Sequence, residues 1–205
     1  MVRLPTPMST AAILAGGQAR RFDGYQKPLL PLGHQRIVDH LLDVLGTVVD
    51  NIFVVANDQE QYQTCNVPVI RDITANLGPI GGLYTALSHS DSNQVLIVAG
   101  DMPFLNAEFL QYLLEQGQFA DIAIPRTADG YQPLCASYRH TCVNVVATHI
   151  KKRSLKITNL LSDITHREIS DDKMIKFDRH GSMFFNINTP ADYARALSLA
   201  AYHAL

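Results

Sequence analysis

Short unbroken apolar runs, each closed by glycine or a polar pair, alternate along the chain with stretches of helical spacing. Ala11-Ala12-Ile13-Leu14-Ala15 stops at Gly16-Gly17, and such a run without polar alternation suits a strand covered on both faces. The same pattern predicts strands over 51–56 (NIFVVA), 67–70 and 94–99 (QVLIVA), the last closed by Gly100-Asp101. Two more are expected over 121–124 and 133–138. Between them Ile37, Leu41, Leu42 and Leu45 repeat with helical spacing, as do Phe109, Leu110, Leu113 and Leu114, and residues 80–88 read as a helix opening at a glycine-rich turn. A final helix is expected from Pro190 to Leu205. Thr189 suits its N-cap, Pro190 its first position and Asp192 its first turn. Strands alternating with helices predict an α/β fold around a mainly parallel sheet.

The chain has 205 residues, enough for one domain with a sizeable core, and no linker or repeat divides it. An apolar share of 47% excludes intrinsic disorder, and a net charge of −2 argues against a dedicated nucleic-acid binder. The three cysteines (Cys65, Cys135, Cys142) lack C-x-x-C spacing, so reduced, buried thiols in a cytoplasmic protein are expected. No apolar run approaches ~20 residues, so no membrane span is expected. Lys151-Lys152-Arg153 reads as a solvated helix end. The eight histidines, among them His89 and His149, show no metal-binding spacing.

Ligands of open parallel sheets bind beyond the carboxyl ends of the strands. The loop after the first strand is therefore the place to look. Residues 14–27 (LAGGQARRFDGYQK) hold three glycines, two arginines and one lysine, against one acid, Asp23. Adjacent glycines let backbone N–H groups approach an anion, and the cations add charge beside them. The loop is not a Walker A motif, because Lys27 lies between Gln26 and Pro28, and it lacks the G-x-G-x-x-G dinucleotide fingerprint. A basic, glycine-rich surface loop with no ligand is the plainer alternative.

Leu14, Ala15, Gly16, Gly17, Arg21, Gly24 and Lys27 match the signature L-A-G-G-x-x-x-R-x-x-G-x-x-K, so the stretch resembles the nucleotide loop of the α/β nucleotidyltransferases. Three further segments agree in order: Arg71-Asp72 followed by Gly78-Pro79-Ile80-Gly81-Gly82, then Gly100-Asp101-Met102-Pro103-Phe104, then Phe185-Asn186-Ile187-Asn188-Thr189-Pro190. Within that superfamily the chain is most similar to the molybdenum cofactor guanylyltransferases, from about Ala11 to Ala194. Phe22-Asp23 departs from the family's usual Met-Gly and places an acid in a phosphate loop.

The resemblance implies a Rossmann-like three-layer α/β sandwich of nucleotidyltransferase type, with a single domain over 1–205. It implies a cytoplasmic enzyme that transfers GMP from GTP to molybdopterin with Mg²⁺ and releases pyrophosphate. It also implies transient contacts with other molybdenum cofactor biosynthesis or acceptor proteins, and none with nucleic acid or membrane. Arg21, Lys27 and Asp101 become the catalytic candidates, with Asp101 the metal ligand; a turn or N-cap aspartate is its plainer reading. Arg20 matches no fixed motif position and reads as a surface residue. Leu14, Ala15, Gly16, Gly17, Lys27, Asn57, Asp72 and Asp101 are expected to hold the nucleotide. Relatives that transfer cytidylate typically carry L-A-A-G, so Gly16 fits the guanylyl branch. Gly78, Pro79, Gly81, Gly82, Asn186 and Asn188 are expected on the molybdopterin side. Helix–sheet packing is the plainer reading of Gly81 and Gly82, and turn formation that of the two asparagines. The Tyr131-Gln132-Pro133-Leu134 segment is expected only to shape that side. A CTP-dependent or sugar-phosphate nucleotidyltransferase, and a non-catalytic nucleotide-binding adaptor, remain open alternatives.

Overall fold

In a computed structural model the described residues are 9–16, 26–178 and 180–203. The strands are β1 (Thr10–Leu14), β2 (Pro31–Leu32), β3 (Gln35–Arg36), β4 (Asn51–Val55), β5 (Val69–Ile70), β6 (Gln94–Ala99), β7 (Ile122–Thr127), β8 (Gly130–Tyr131), β9 (Cys135–Arg139) and β10 (His166–Ser170). The helices are α1 (Ile37–Gly46), α2 (Pro79–His89), α3 (Ala107–Gly117), α4 (Cys142–Lys151), α5 (Asp171–Met174) and α6 (Pro190–His203).

Eight strands form one sheet in the order β10-β7-β9-β6-β1-β4-β5, with β8 paired to β7, while β2 and β3 make a separate hairpin. β1 runs parallel to both β4 and β6. β9 is antiparallel to β6 and to β7, the departure from an otherwise parallel succession. From β1 the chain moves outward to β4 and β5, then returns to lay β6 on the other side of β1. The crevice between the carboxyl ends of β1 and β6 is thus a topological switch point, where open α/β sheets take their ligands.

Ala11, Ala12 and Ile13 are wholly buried, as a central parallel strand requires. Alternation along β1 sends Ala11 and Ile13 into one core layer with Leu41 and Leu45 of α1 and Phe109 and Leu113 of α3. Ala12 faces the other layer, with Leu83 and Leu87 of α2 and Val146 of α4. Cys65, Cys135 and Cys142 are all free and buried. The Lys151-Lys152-Arg153 run is exposed at the end of α4. His149, by contrast, is buried, with Nε2 at 2.6 Å from Asp163 Oδ2.

The cap expected before the last helix is present. The Asp192 amide donates to Thr189 Oγ1 at 3.1 Å, and Asp192 Oδ2 accepts from the amides of Asn188 (3.0 Å) and Thr189 (2.8 Å) and from the Thr189 hydroxyl (2.9 Å). No helix among the described residues is long and apolar enough to cross a membrane.

Candidate active site

A cavity of about 930 Å³ opens at the switch point. Leu14, Ala15 and Gly16 line it from the end of β1, Asn57 from beyond β4, Asp72 from beyond β5 and Asp101 from beyond β6. Lys27, Gly78, Pro79, Gly82 and Asn188 complete the part foreseen from the sequence. Gly17 and Arg21, with Arg20, Asp23 and Gly24, lie outside the described residues.

Two clusters of polar groups stand in this cavity. In the first, Lys27 Nζ lies 2.5 Å from Asp101 Oδ2 and donates to Asn188 Oδ1 at 3.3 Å. Both members of the ion pair are about one-fifth to one-quarter exposed. Three separate chain segments build the cluster, and small local details align them. The short 3₁₀ turn Lys27–Leu29 packs its proline against the end of β6: a Cβ on Gly100 would come within 2.7 Å of Pro28 Cγ. The Gly100 amide meanwhile donates to the Leu14 carbonyl at 3.0 Å. Only a residue without a side chain admits both contacts, and they set Lys27 beside Asp101. From the far end of the chain, the Ile187 amide donates to the Asp101 carbonyl at 3.0 Å, which carries Asn188 to the same place.

In the second cluster Asn57 Nδ2 donates to Asp72 Oδ2 at 3.0 Å, and the wholly buried Thr85 Oγ1 lies 3.5 Å from Asp72 Oδ1. A Cβ on Gly16 would stand 3.9 Å from Asp72 Oδ2, so this carboxylate lies close beside the glycine turn, and both line the cavity.

Not every expected group joins these clusters. Gly78, with φ +67°, leads into α2 and lines the cavity, but the Gly81 amide donates to the Gly78 carbonyl at 3.0 Å and is not presented to a ligand. A Cβ on Gly81 would press on Leu77 at 3.0 Å, and one on Gly82 on the Leu14 side chain at 3.3 Å. Gly82 therefore serves the packing of α2 on β1 and Gly81 that of α2 on the loop before it, and of the two only Gly82 reaches the cavity wall. Asn186 and Asn188 do not share the site: the Asn186 side-chain Nδ2 donates to the Phe184 carbonyl at 2.9 Å, and Asn186 is not among the lining residues. The segment is not a strand, so residues two apart need not share a face.

Sequence reasoning missed Tyr62 and Thr85. Tyr62 lines the cavity and its hydroxyl reaches the Ala15 carbonyl at 3.4 Å. Burial pushes its phenol well above the ordinary value, so it stays a donor. Neither residue stands in a glycine-rich or charged motif. For Thr85 the one available signal was a hydroxyl within an apolar stretch, and Tyr62 stands among polar residues that give none.

In comparisons with known proteins, the profile described as MobA-like NTP transferase domain matches residues 11–166. A probable molybdenum cofactor guanylyltransferase from Carboxydothermus hydrogenoformans is 34% identical over 190 residues, covering 93% of this chain and 95% of its own length. The crystal structure of molybdopterin-guanine dinucleotide biosynthesis protein A from Archaeoglobus fulgidus superposes with a TM-score of 0.81 at 28% identity, covering 94% of this chain and 99% of that one. A manganese complex of Rv0371c from Mycobacterium tuberculosis, 19% identical with a TM-score of 0.66, covers 94% and 98% and shares the fold. With the profile spanning three-quarters of its length, the chain belongs to the MobA-like NTP transferase domain family.

Proposed function

We propose that the protein transfers GMP from GTP to molybdopterin, releasing pyrophosphate. The observation that carries this reading is the Lys27–Asp101–Asn188 cluster in the same cavity as Asp72 and Gly16. One cluster supplies charge for a polyphosphate, and the other supplies acceptors for a base or ribose. The kinship with proteins named as molybdenum cofactor guanylyltransferases supports guanine and molybdopterin as the substrates.

The reaction is an in-line displacement. A phosphate oxygen of molybdopterin bonds to the α-phosphorus of GTP as the bond to the β-phosphate oxygen breaks, and the electron pair leaves with pyrophosphate. Attacker and target are both anionic, so placement and charge neutralisation do most of the work. Lys27 neutralises charge on the triphosphate and on the leaving group. The carboxylate of Asp72 accepts N–H groups of the guanine edge, which GTP offers and ATP does not in the same pattern.

The donor set fits Mg²⁺. Asp101 Oδ2 and Asn188 Oδ1 converge on one cationic centre, the Lys27 ammonium, and both are the hard oxygen donors this ion prefers. Among the described residues no group of three or more His, Cys, Asp or Glu side chains gathers to hold a metal. That suits an ion that takes most of its ligands from substrate phosphates and water. Bound there, Mg²⁺ would supply electrostatic stabilisation of the phosphate oxygens.

Thermal melts in Mg²⁺ with GTP, CTP, ATP and UTP test the nucleotide. GTP at a hundredfold excess over its dissociation constant should add about 2.7 kcal/mol of stability. For a domain of this size that is roughly 5–10 °C in Tm, with smaller shifts from the other three. Equal shifts with CTP would overturn the guanylyl assignment, and absence of pyrophosphate release from GTP and molybdopterin would overturn the enzyme.

A further inference from the structure

The Asp72 carboxylate is gripped from two sides. Asn57, beyond β4, donates to Oδ2 at 3.0 Å, and Thr85, on the second turn of α2, stands 3.5 Å from Oδ1. Thr85 is wholly buried. Its Oγ1 accepts the Ile73 amide at 3.0 Å, so its own proton must find an acceptor without help from solvent. Asp72 Oδ1 is the acceptor in reach. One hydroxyl thus ties together the carboxylate and the backbone amide of the next residue, locking the turn that carries Asp72. A carboxylate that rotates freely presents its two oxygens to any donor. One held in a fixed plane accepts only donors arriving in that plane, from the cavity that Asp72 lines.

We infer that Thr85 is a positioning residue for base selection: it fixes the plane of Asp72 so that the cavity prefers a base with adjacent ring and exocyclic N–H donors. This rests on the reading above that Asp72 accepts the guanine edge. Thr85 touches no nucleotide atom in this assignment and acts only through Asp72. The consequence is specific. Loss of the hydroxyl should weaken discrimination among nucleotides while leaving the Lys27–Asp101 cluster, built from other segments, unchanged.

Calorimetric binding of GTP, ATP and CTP in Mg²⁺ to the full chain tests it, on wild type, Thr85→Val, Thr85→Ser and Asp72→Asn, with a melt on each. Thr85→Val keeps the shape and removes the hydroxyl. Thr85→Ala, which leaves space for a water, serves the same comparison if the valine variant does not fold. The expected result is that Kd for GTP rises roughly five- to tenfold in Thr85→Val, the loss of one hydrogen bond. Kd for ATP and CTP should stay put, and Thr85→Ser should restore wild-type preference. Preference lost in Asp72→Asn but retained in both Thr85→Val and Thr85→Ala would overturn the inference while leaving the base-reading role of Asp72 standing. An equal rise for all three nucleotides would overturn it too, since a merely structural threonine would act that way. Wild type without GTP preference, or Asp72→Asn with it intact, would overturn the reading beneath.

Discussion

The Lys27 ammonium lies 2.5 Å from Asp101 Oδ2 across 74 positions of sequence. Each group answers the charge of the other, so this side of the cavity holds a local charge balance of its own. The proposed reaction would exchange this contact for two others, Lys27 to phosphate and Asp101 to metal.

Asp101→Ala should therefore remove turnover without unfolding the protein. A metal-centred contribution of several kcal/mol corresponds to about a thousandfold in rate. Lys27→Ala should cost about a hundredfold or more, as loss of a preorganised charge does. Pyrophosphate release, with circular dichroism as the fold control, checks both; near-wild-type rates in either variant would remove that residue from the chemistry.

On the proposed reaction the same ion pair would set an order to binding. With Lys27 occupying Asp101, a divalent ion meets a neutralised carboxylate unless nucleotide first draws the lysine away. Lys27→Met should then bind Mn²⁺ more tightly than wild type when no nucleotide is present, read by the loss of free Mn²⁺ signal in electron paramagnetic resonance. Weaker or unchanged binding in the variant would contradict the exchange.

Gly100→Ala tests how the pair is aligned. The added Cβ would meet Pro28 Cγ at 2.7 Å, and a proline ring cannot rotate aside. Overpacking of this kind costs about 1–3 kcal/mol. Because the displaced turn carries Lys27, activity should fall further than the melting temperature alone explains. A variant with a lowered Tm but intact turnover would show that Lys27 does not depend on this contact.

The C-terminal segment brings pH into the picture. The Thr189 hydroxyl first, then the Asn188 amide, hold the Asp192 carboxyl below its ordinary 3.8. A lowered folded value stabilises the protein above the unfolded one, and that contribution disappears as pH falls through it. Asp39, held low by its hydrogen bonds from Arg36, adds in the same direction. Melting temperature should therefore drop below about pH 4. Asp192→Asn should show a smaller acid drop from a lower starting point; an identical pH profile would exclude this cap from the acid response.

The thiols should be silent. Burial pushes the Cys142 thiol up to about 12 and raises Cys135 and Cys65 as well. Little thiolate forms at neutral pH, and the sulfurs are out of reach. A thiol reagent such as dithionitrobenzoate should label none of the three in the native protein and all three after denaturation.

What could be read in advance depended on burial. QVLIVA is buried on both faces and coincides with β6 residue for residue, because an uninterrupted apolar run has few other places to go. HREIS, which forms β10, went unread: it is an edge strand in which only Ile169 is buried. The antiparallel direction of β9 was not legible either, since a run of apolar side chains looks the same in both directions. Lys27, Asp101, Asp72 and Asn188 were legible as motif positions, and the structure brings them into one cavity. Asn186 was not separable from Asn188 in the sequence, because an irregular backbone turns its side chain back onto the Phe184 carbonyl. Thr85 was invisible because its importance lies in what it touches, a carboxylate thirteen positions away across a turn.

The bond from the Ile187 amide to the Asp101 carbonyl bears on how the protein is made. A ribosome delivers Gly16, Lys27, Asp72 and Asp101 before the segment that holds Ile187 and Asn188. The strap that pins the end of β6 and brings in Asn188 emerges some eighty codons later. A nascent chain therefore carries Lys27, Asp72 and Asp101 before the segment that donates to the Asp101 carbonyl and brings in Asn188 has been made.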